Sequence, residues 1–476
     1  MIIRYCLFIV LSALCIVAAP SSNNENVQRL LANRHYTSGQ YGISIYDITH
    51  DSLLTSLNAD TPLNPASLSK LLTGATAFEL LSPTYVFSTA VYYDGILSRD
   101  SATLYGNLYI KGKGDPGLVV EKLWLFVQHL QLQGVRAITG DIIIDDSWFD
   151  TLTAGPGFDD DRSSRAYNAP VSALAVNFSS VSIMQAPGDS AGSPVFVATF
   201  PRMYDMPLIS RAITVPLNGR TTIDVRTQSR GNITTITTAG TLKQNDPPRL
   251  TYRKVFQSRE NFGRMVLPML DESGIRLGGK ITFGRVSDSL LAQKPLYEFS
   301  GEALTQAITD MFKYSTNFVA EMVFKTVAAT ALSAPGTWEK GSTVINRWWL
   351  ERKLPGQPIL KNGSGMGDAN RLSASQITAL LAYTYKQKQY WPDYLSALSN
   401  AGFDGTLKTR FVNSPLKGMV RAKTGTLNNY GASGLAGYVL LPDRTCAFAI
   451  MFSGAGTDMT RHWATQELIL NTVLGR

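Results

Sequence analysis

The sequence predicts an α+β protein with a central antiparallel sheet flanked by helices and a large, mostly β insertion of two subdomains. Three observations carry this expectation. The chain has 476 residues, more than one ordinary domain of about 100–200 residues. Its ends combine strand hairpins with amphipathic helices, whereas residues 85–289 hold mainly short strand-like runs. Hydrophobic residues make up 44% and charged residues 17%, the latter below the ~25% usual for soluble proteins. That balance permits a large buried core and excludes both disorder and coiled coil.

The elements follow in order. Residues 1–20 have the layout of a secretory signal peptide: one positive charge at Arg4, an uncharged apolar run over 5–17, then Ala18 and Ala19 before a polar stretch. The run is shorter than the roughly 18 residues that read as a membrane span. An exported, periplasmic protein is expected, with no transmembrane span in the mature chain and at most loose membrane association. Cys6 and Cys15 leave with the signal, and Cys446, in an apolar run, reads as a small buried hydrophobe. A helical entry at 27–33 leads to an alternating hairpin, 41–49 and 53–57, turning at His50-Asp51. Asn64-Pro65 supplies an N-cap and a proline at the first helical position, and Leu68, Leu71, Leu72, Ala75, Phe78 and Leu81 follow at helical spacing until Pro83.

Within 85–289 only 119–133 reads as a helix; 103–110, 141–144, 181–184, 195–200 and 221–225 read as strands. Helices follow at 303–314, 318–332 and 342–351, then strands at 434–441 and 445–452 and an amphipathic helix at 459–474. Residues 24–84 and 290–476 are therefore expected to form one discontinuous domain, its N-terminal hairpin pairing with the C-terminal strands.

Charge narrows the function. The net charge is +8, and no run of five like charges occurs, so nucleic acid is not an expected partner. The four histidines lack metal-ligand spacing. No metal and no cofactor are expected.

The sharpest chemical signal is Ser67-Leu68-Ser69-Lys70. Positions i and i+3 share a helix face, so the Ser67 hydroxyl and the Lys70 amine can meet. A lysine takes the serine proton only when neutral, which burial or a second cation brings about. Ser414 and Lys417 have the same spacing, but Gly418 and a strand follow, so that pair lacks the helix. The second cation comes from Lys423-Thr424-Gly425 in the β pattern 420–427. Thr424 and Thr426 offer hydroxyls to a substrate carboxylate. Ser315-Thr316-Asn317 lies where one helix passes into the next. Three other patterns read as structural: Gly188–Gly192 around Ser190 lacks the strand and helix of a nucleophile elbow, Gly112–Gly117 lacks doubly wound alternation after it, and Asp159-Asp160-Asp161 reads as a solvated loop.

The three elements Ser67–Lys70, Ser315–Asn317 and Lys423–Gly425, in this order and separated by 248 and 108 residues, resemble the penicillin-binding proteins. The long first interval resembles the penicillin-binding protein 4-type D-alanyl-D-alanine carboxypeptidase/endopeptidase family (low-molecular-mass class C). Residues 64–70, 106–118, 140–149, 167–174 and 362–371 are also similar to that family. The resemblance implies a penicilloyl-serine transferase, β-lactamase-like domain with two inserted subdomains. It implies a serine DD-peptidase acting on peptidoglycan stem peptides, with β-lactam antibiotics as acylating inhibitors. Ser67 would be the acylated nucleophile, Lys70 its base, Ser315 the proton relay and Asn317 the holder of the substrate amide. Lys423, Thr424, Gly425 and Thr426 would receive the substrate, and the N–H groups of Ser67 and Thr426 would form the oxyanion hole. The sequence departs from the family at Thr316, often Asp, and at Asp368, where the family carries arginine.

Two further readings compete. A serine β-lactamase needs a base for deacylation, and Glu467 lies in a Glu-x-x-Leu-Asn string, but after Lys423 rather than before it. A non-catalytic wall-binding scaffold would not need Ser67, Lys70 and Lys423 intact.

Overall fold

The computed structural model describes residues 22–158, 163–200, 203, 206–231 and 233–475. The expected signal peptide and Asp159-Asp160-Asp161 lie outside the described residues. Among those described, no helix is long and apolar enough to cross a membrane.

A six-stranded sheet runs in the order Ser52–Leu57, Tyr41–Asp47, Thr445–Phe452, Ala432–Leu440, Val420–Leu427, Ser399–Asn400. Every neighbouring pair is antiparallel. The N-terminal hairpin thus continues the C-terminal strands, with Ile43 opposite Ile450. Ala432–Leu440 and Thr445–Phe452 are buried along almost their whole length, because helices cover both faces. One face packs Phe448 and Ile450 against Val27 and Leu31 of the Ser22–Asn33 helix and Ile469 and Leu470 of Met459–Leu474. The other face presents Tyr438, Ala449 and Met451 to a larger core that includes Leu71, Phe78, Phe312, Phe324 and Leu381. The architecture is α+β, as the two hairpin-and-helix ends predict.

The middle of the chain builds its own layers. A five-stranded mixed sheet orders Ile281–Phe283, Ile142–Asp145, Leu108–Gly112, Val86–Tyr93 and Tyr297–Ala303. Helices Val120–Leu132 and Ser258–Glu272 cover it through Leu123, Phe126, Phe262 and Val266. A smaller sheet, Phe196–Phe200, Ser180–Ala186 and Arg249–Lys254, has a separate core around Val181, Ile183 and Val225. Val86–Tyr93 and Tyr297–Ala303 pair antiparallel, so the chain enters and leaves this region side by side.

Several elements differ from the sequence expectation. Ser258–Glu272 is helical although it contains Gly263 and Pro268, which break the apolar pattern. Ala374–Tyr385 and Trp391–Ala397 are additional helices, the first started by a capping box between Ser373 and Gln376. The expected strand at 221–225 is displaced to Asp224–Arg230. Most consequential is the start of the Ser67 helix. Asn64-Pro65 opens a 3-10 turn, Ala66–Leu68, and the α-helix begins only at Ser69.

Candidate active site

Ser67 stands on that 3-10 turn, half-buried, directly after Ala66, whose φ of 47° is left-handed. The unusual backbone has identifiable supports. The Asn64 Oδ1 accepts the Ala66 N–H at 2.9 Å, and the Asn64 amide donates to the Gly367 carbonyl (3.1 Å) and to Asp368 (2.8 Å). Gly365 and Gly425 press on the turn from two sides. A Cβ on Gly365 would lie 1.8 Å from the Ala66 carbonyl oxygen, and one on Gly425 would lie 2.9 Å from that of Pro65. The glycine of Lys423-Thr424-Gly425 is therefore required by close approach: any side chain would drive strand and turn apart.

The strand itself explains the rest of that element. Ser399–Asn400 pairs only with Ala422 and Arg421, so from Lys423 onward the outer edge has no strand partner among the described residues. That open edge faces the Ser67 turn. Lys423 and Gly425 are buried, while Thr424 is half-buried and Thr426 exposed along the open edge. Lys423 is completely buried, and its Nζ donates to Ser315 Oγ (2.8 Å) and to the Thr424 carbonyl (2.7 Å). Ser315 holds a left-handed φ of 59° between two helices, which directs its hydroxyl to Lys423. Thr424 Oγ1 donates to Thr406 Oγ1 at 2.9 Å.

Lys70 is also completely buried. Its Nζ lies 2.9 Å from Ser67 Oγ, 2.7 Å from Asn317 Oδ1 and 2.8 Å from the Ser364 carbonyl oxygen. As an ammonium Lys70 donates to all three, and as a neutral amine it fits them as well. A neutral amine has two N–H groups and one lone pair. Asn317 Oδ1 and the Ser364 carbonyl only accept, so they take the two N–H groups. The lone pair is left facing the one partner that can donate, the Ser67 hydroxyl. Asn317 is locked in this sense because its Nδ2 donates to the Tyr167 carbonyl at 3.1 Å.

Electrostatics favours the neutral form. Burial pushes the Lys70 ammonium down from 10.5 to about 7, opposed by the carboxylate of Glu321. Lys423 is also held well below its ordinary value, first by burial and then by repulsion from Lys70. Of the two causes open on sequence grounds, burial is the larger for Lys70; the repulsion is felt at Lys423.

The remaining sequence candidates separate cleanly. Ser67, Ser315, Asn317 and Thr426 line one cleft of about 480 Å³, with Arg165, Tyr167, Met366 and Asn428. Asp368 is not among the residues lining it; its carboxylate meets Arg371 at 2.9 Å and the Asn64 amide. Ser414 Oγ donates to Asn471 (2.6 Å), while Lys417 lies over the Phe403 ring. Ser190 contacts Ser193 in an exposed loop. Glu467 is bound to Arg410 at 2.9 Å. Cys446 is buried.

Sequence reasoning missed Glu321, the Ser364 carbonyl, the Tyr167 carbonyl and Thr406. Glu321 had a signal: it lies four residues after Asn317, a charge inside the apolar run Phe318-Val319-Ala320-Glu321-Met322-Val323-Phe324, which puts both on one helix face.

Comparison with known proteins gives consistent relatives. The chain is 28% identical over 448 residues to the D-alanyl-D-alanine carboxypeptidase of Actinomadura sp. (strain R39), covering 90% of this chain and 80% of the relative. It is 23% identical over 433 residues to D-alanyl-D-alanine carboxypeptidase DacB of Haemophilus influenzae, covering 88% and 86%. The crystal structure of penicillin binding protein 4 from Haemophilus influenzae shares the fold, with a TM-score of 0.81 at 21% identity over 95% of this chain and 100% of that one. The model of one peptidase family matches residues 23–470, nearly the whole sequence, and the chain belongs to that family, the D-Ala-D-Ala carboxypeptidase 3 (S13) family.

Proposed function

We propose that this protein is an exported, periplasmic, penicillin-sensitive serine DD-peptidase that cleaves peptidoglycan stem peptides through an acyl-enzyme on Ser67. It acts as a D-Ala-D-Ala carboxypeptidase, a crosslink endopeptidase, or both. The observation that carries this reading is the buried Lys70 Nζ held 2.9 Å from Ser67 Oγ by two obligate acceptors, which leaves the lone pair of the neutral amine for the Ser67 hydroxyl. Lys70 takes the hydroxyl proton as Ser67 attacks the carbonyl of the penultimate D-Ala. The N–H groups of Ser67 and Thr426 receive the oxyanion, worth about 3 kcal/mol per donor in comparable sites. Ser315, bonded to Lys423, passes a proton to the leaving amine, and the acyl-enzyme is then hydrolysed. Asn317 holds the substrate amide, and Lys423, Thr424 and Thr426 receive the terminal carboxylate, with Gly425 allowing the close approach. Residues 24–84 and 290–476 make the catalytic domain and 85–289 the insertion, with Tyr297–Ala303 lending a strand to the insertion's five-stranded sheet. The names of the two relatives support the substrate class, and the Haemophilus influenzae protein has been crystallised with a β-lactam. The test is release of D-Ala from a D-Ala-D-Ala-terminated pentapeptide. The purified chain releases it and Ser67→Ala does not; equal release by both would refute the reading.

A further inference from the structure

Glu321 is completely buried on the Asn317–Leu332 helix, one turn after Asn317. Three donors converge on its carboxylate: Trp338 Nε1 at 2.8 Å, the Gly363 N–H at 3.0 Å and the Ser364 N–H at 2.8 Å. The nearby buried cation does not compete for it. Lys325, one turn further, donates to Asp150 (2.6 Å) and the Leu152 carbonyl (2.9 Å) and lies over the Trp338 ring. The backbone that Glu321 grips can come this close because Gly363 has no side chain; a Cβ there would lie 2.7 Å from the Ala320 carbonyl oxygen. The next peptide group carries the Ser364 carbonyl that accepts from Lys70.

We propose that Glu321 is a positioning residue for acyl transfer. Its carboxylate fixes the Gly363–Ser364 backbone so that the Ser364 carbonyl takes one N–H of Lys70 and leaves the lone pair directed at Ser67. The proposal rests on the serine-acylation reading above and adds a group that touches neither substrate nor nucleophile.

It has a signature that simple structural support lacks. Among the described residues, the charged groups facing Lys70 are Glu321 from its helix and Lys423 from its strand; Ser67, Asn317 and 362–365 contribute none. A carboxylate favours the protonated amine. Removing its charge makes Lys70 lose its proton more readily, so the acidic limb of the rate profile moves to lower pH.

The experiment is the acylation rate with a fluorescent penicillin against pH for wild type, Glu321→Gln and Glu321→Asp, with Ser67→Ala as blank. In Glu321→Gln the amide NH₂ faces a backbone N–H and the loop turns. Acylation should slow by about tenfold or more, with the acidic limb lowered by roughly one pH unit. Glu321→Asp keeps the charge at a shorter reach, so it should slow acylation and leave the limb in place. A Glu321→Gln rate within about twofold of wild type, or an unmoved limb, overturns the proposal. If Glu321→Gln does not fold, a wild-type rate in Glu321→Asp overturns it and a slow rate with the limb in place upholds it. Absence of labelling in wild type would instead be a failure of the acyl-enzyme reading.

Discussion

Lys70→Ala should lower the rate of acylation by penicillin, and of D-Ala release, by about 10²–10⁴-fold, the range for loss of a positioned general base. Lys70→Arg should be as poor. Arginine keeps the positive charge but does not give up its proton in proteins, so a charge-only role would survive this change and a base role would not. The pH dependence follows from the burial of Lys70. Its ammonium is pushed down to about 7, and only the neutral amine can take the Ser67 proton. The wild-type rate should therefore rise with pH through about 7 and fall away on the acidic side. Stopped-flow acylation over that range checks both statements. A Lys70→Arg enzyme with a rate near wild type would remove Lys70 from the proton path.

Lys423→Ala should reduce kcat/KM for peptides with a free terminal carboxylate by about 30- to 1000-fold, corresponding to about 2–4 kcal/mol for truncating one partner of a buried charge pair. Lys423 is completely buried beside Ser315, so the loss has two sources: the carboxylate contact and the orientation of Ser315. A substrate pair separates them. A peptide amidated at its C-terminus should be a poor substrate of wild type, and Lys423→Ala should scarcely distinguish amide from acid. Lys423→Arg retains charge but not shape in a filled site, and should recover only part of the discrimination. Equal discrimination by wild type and Lys423→Ala would place the carboxylate elsewhere.

Much of this site was legible because its chemistry lies in side chains at local spacing. Ser67 and Lys70 are three residues apart, and their 2.9 Å contact needs only one helical turn. Lys423 and Gly425 sit on a strand whose alternation is plain in 420–427. What stayed hidden depends on backbone groups and close approach. The carbonyls of Ser364 and Tyr167 have no side-chain signature, although the segment 362–371 stood out by resemblance. The turn at Ala66 was expected as the first turn of an α-helix; Gly365 and Gly425 crowd it from distant parts of the chain, and no local propensity reports that. Likewise Ser258–Glu272 contains a glycine and a proline that argue against a helix, but a Cβ on Gly263 would already touch Ile144 and Ile281 of the sheet beneath it. Asp368 reads in the sequence as a reversed charge near the substrate. In the structure Arg371 and Asn64 take up its carboxylate, and it helps to hold the Ser67 turn.

Acyl transfer by this protein rests on one covalent bond. Incubation of the purified protein with benzylpenicillin, proteolysis and tandem mass spectrometry should find the penicilloyl adduct on the peptide containing Ser67, at Ser67 itself. The same adduct should be absent from Ser67→Ala. An adduct on Ser414 or Ser190, or an unchanged adduct yield in Ser67→Ala, would contradict it.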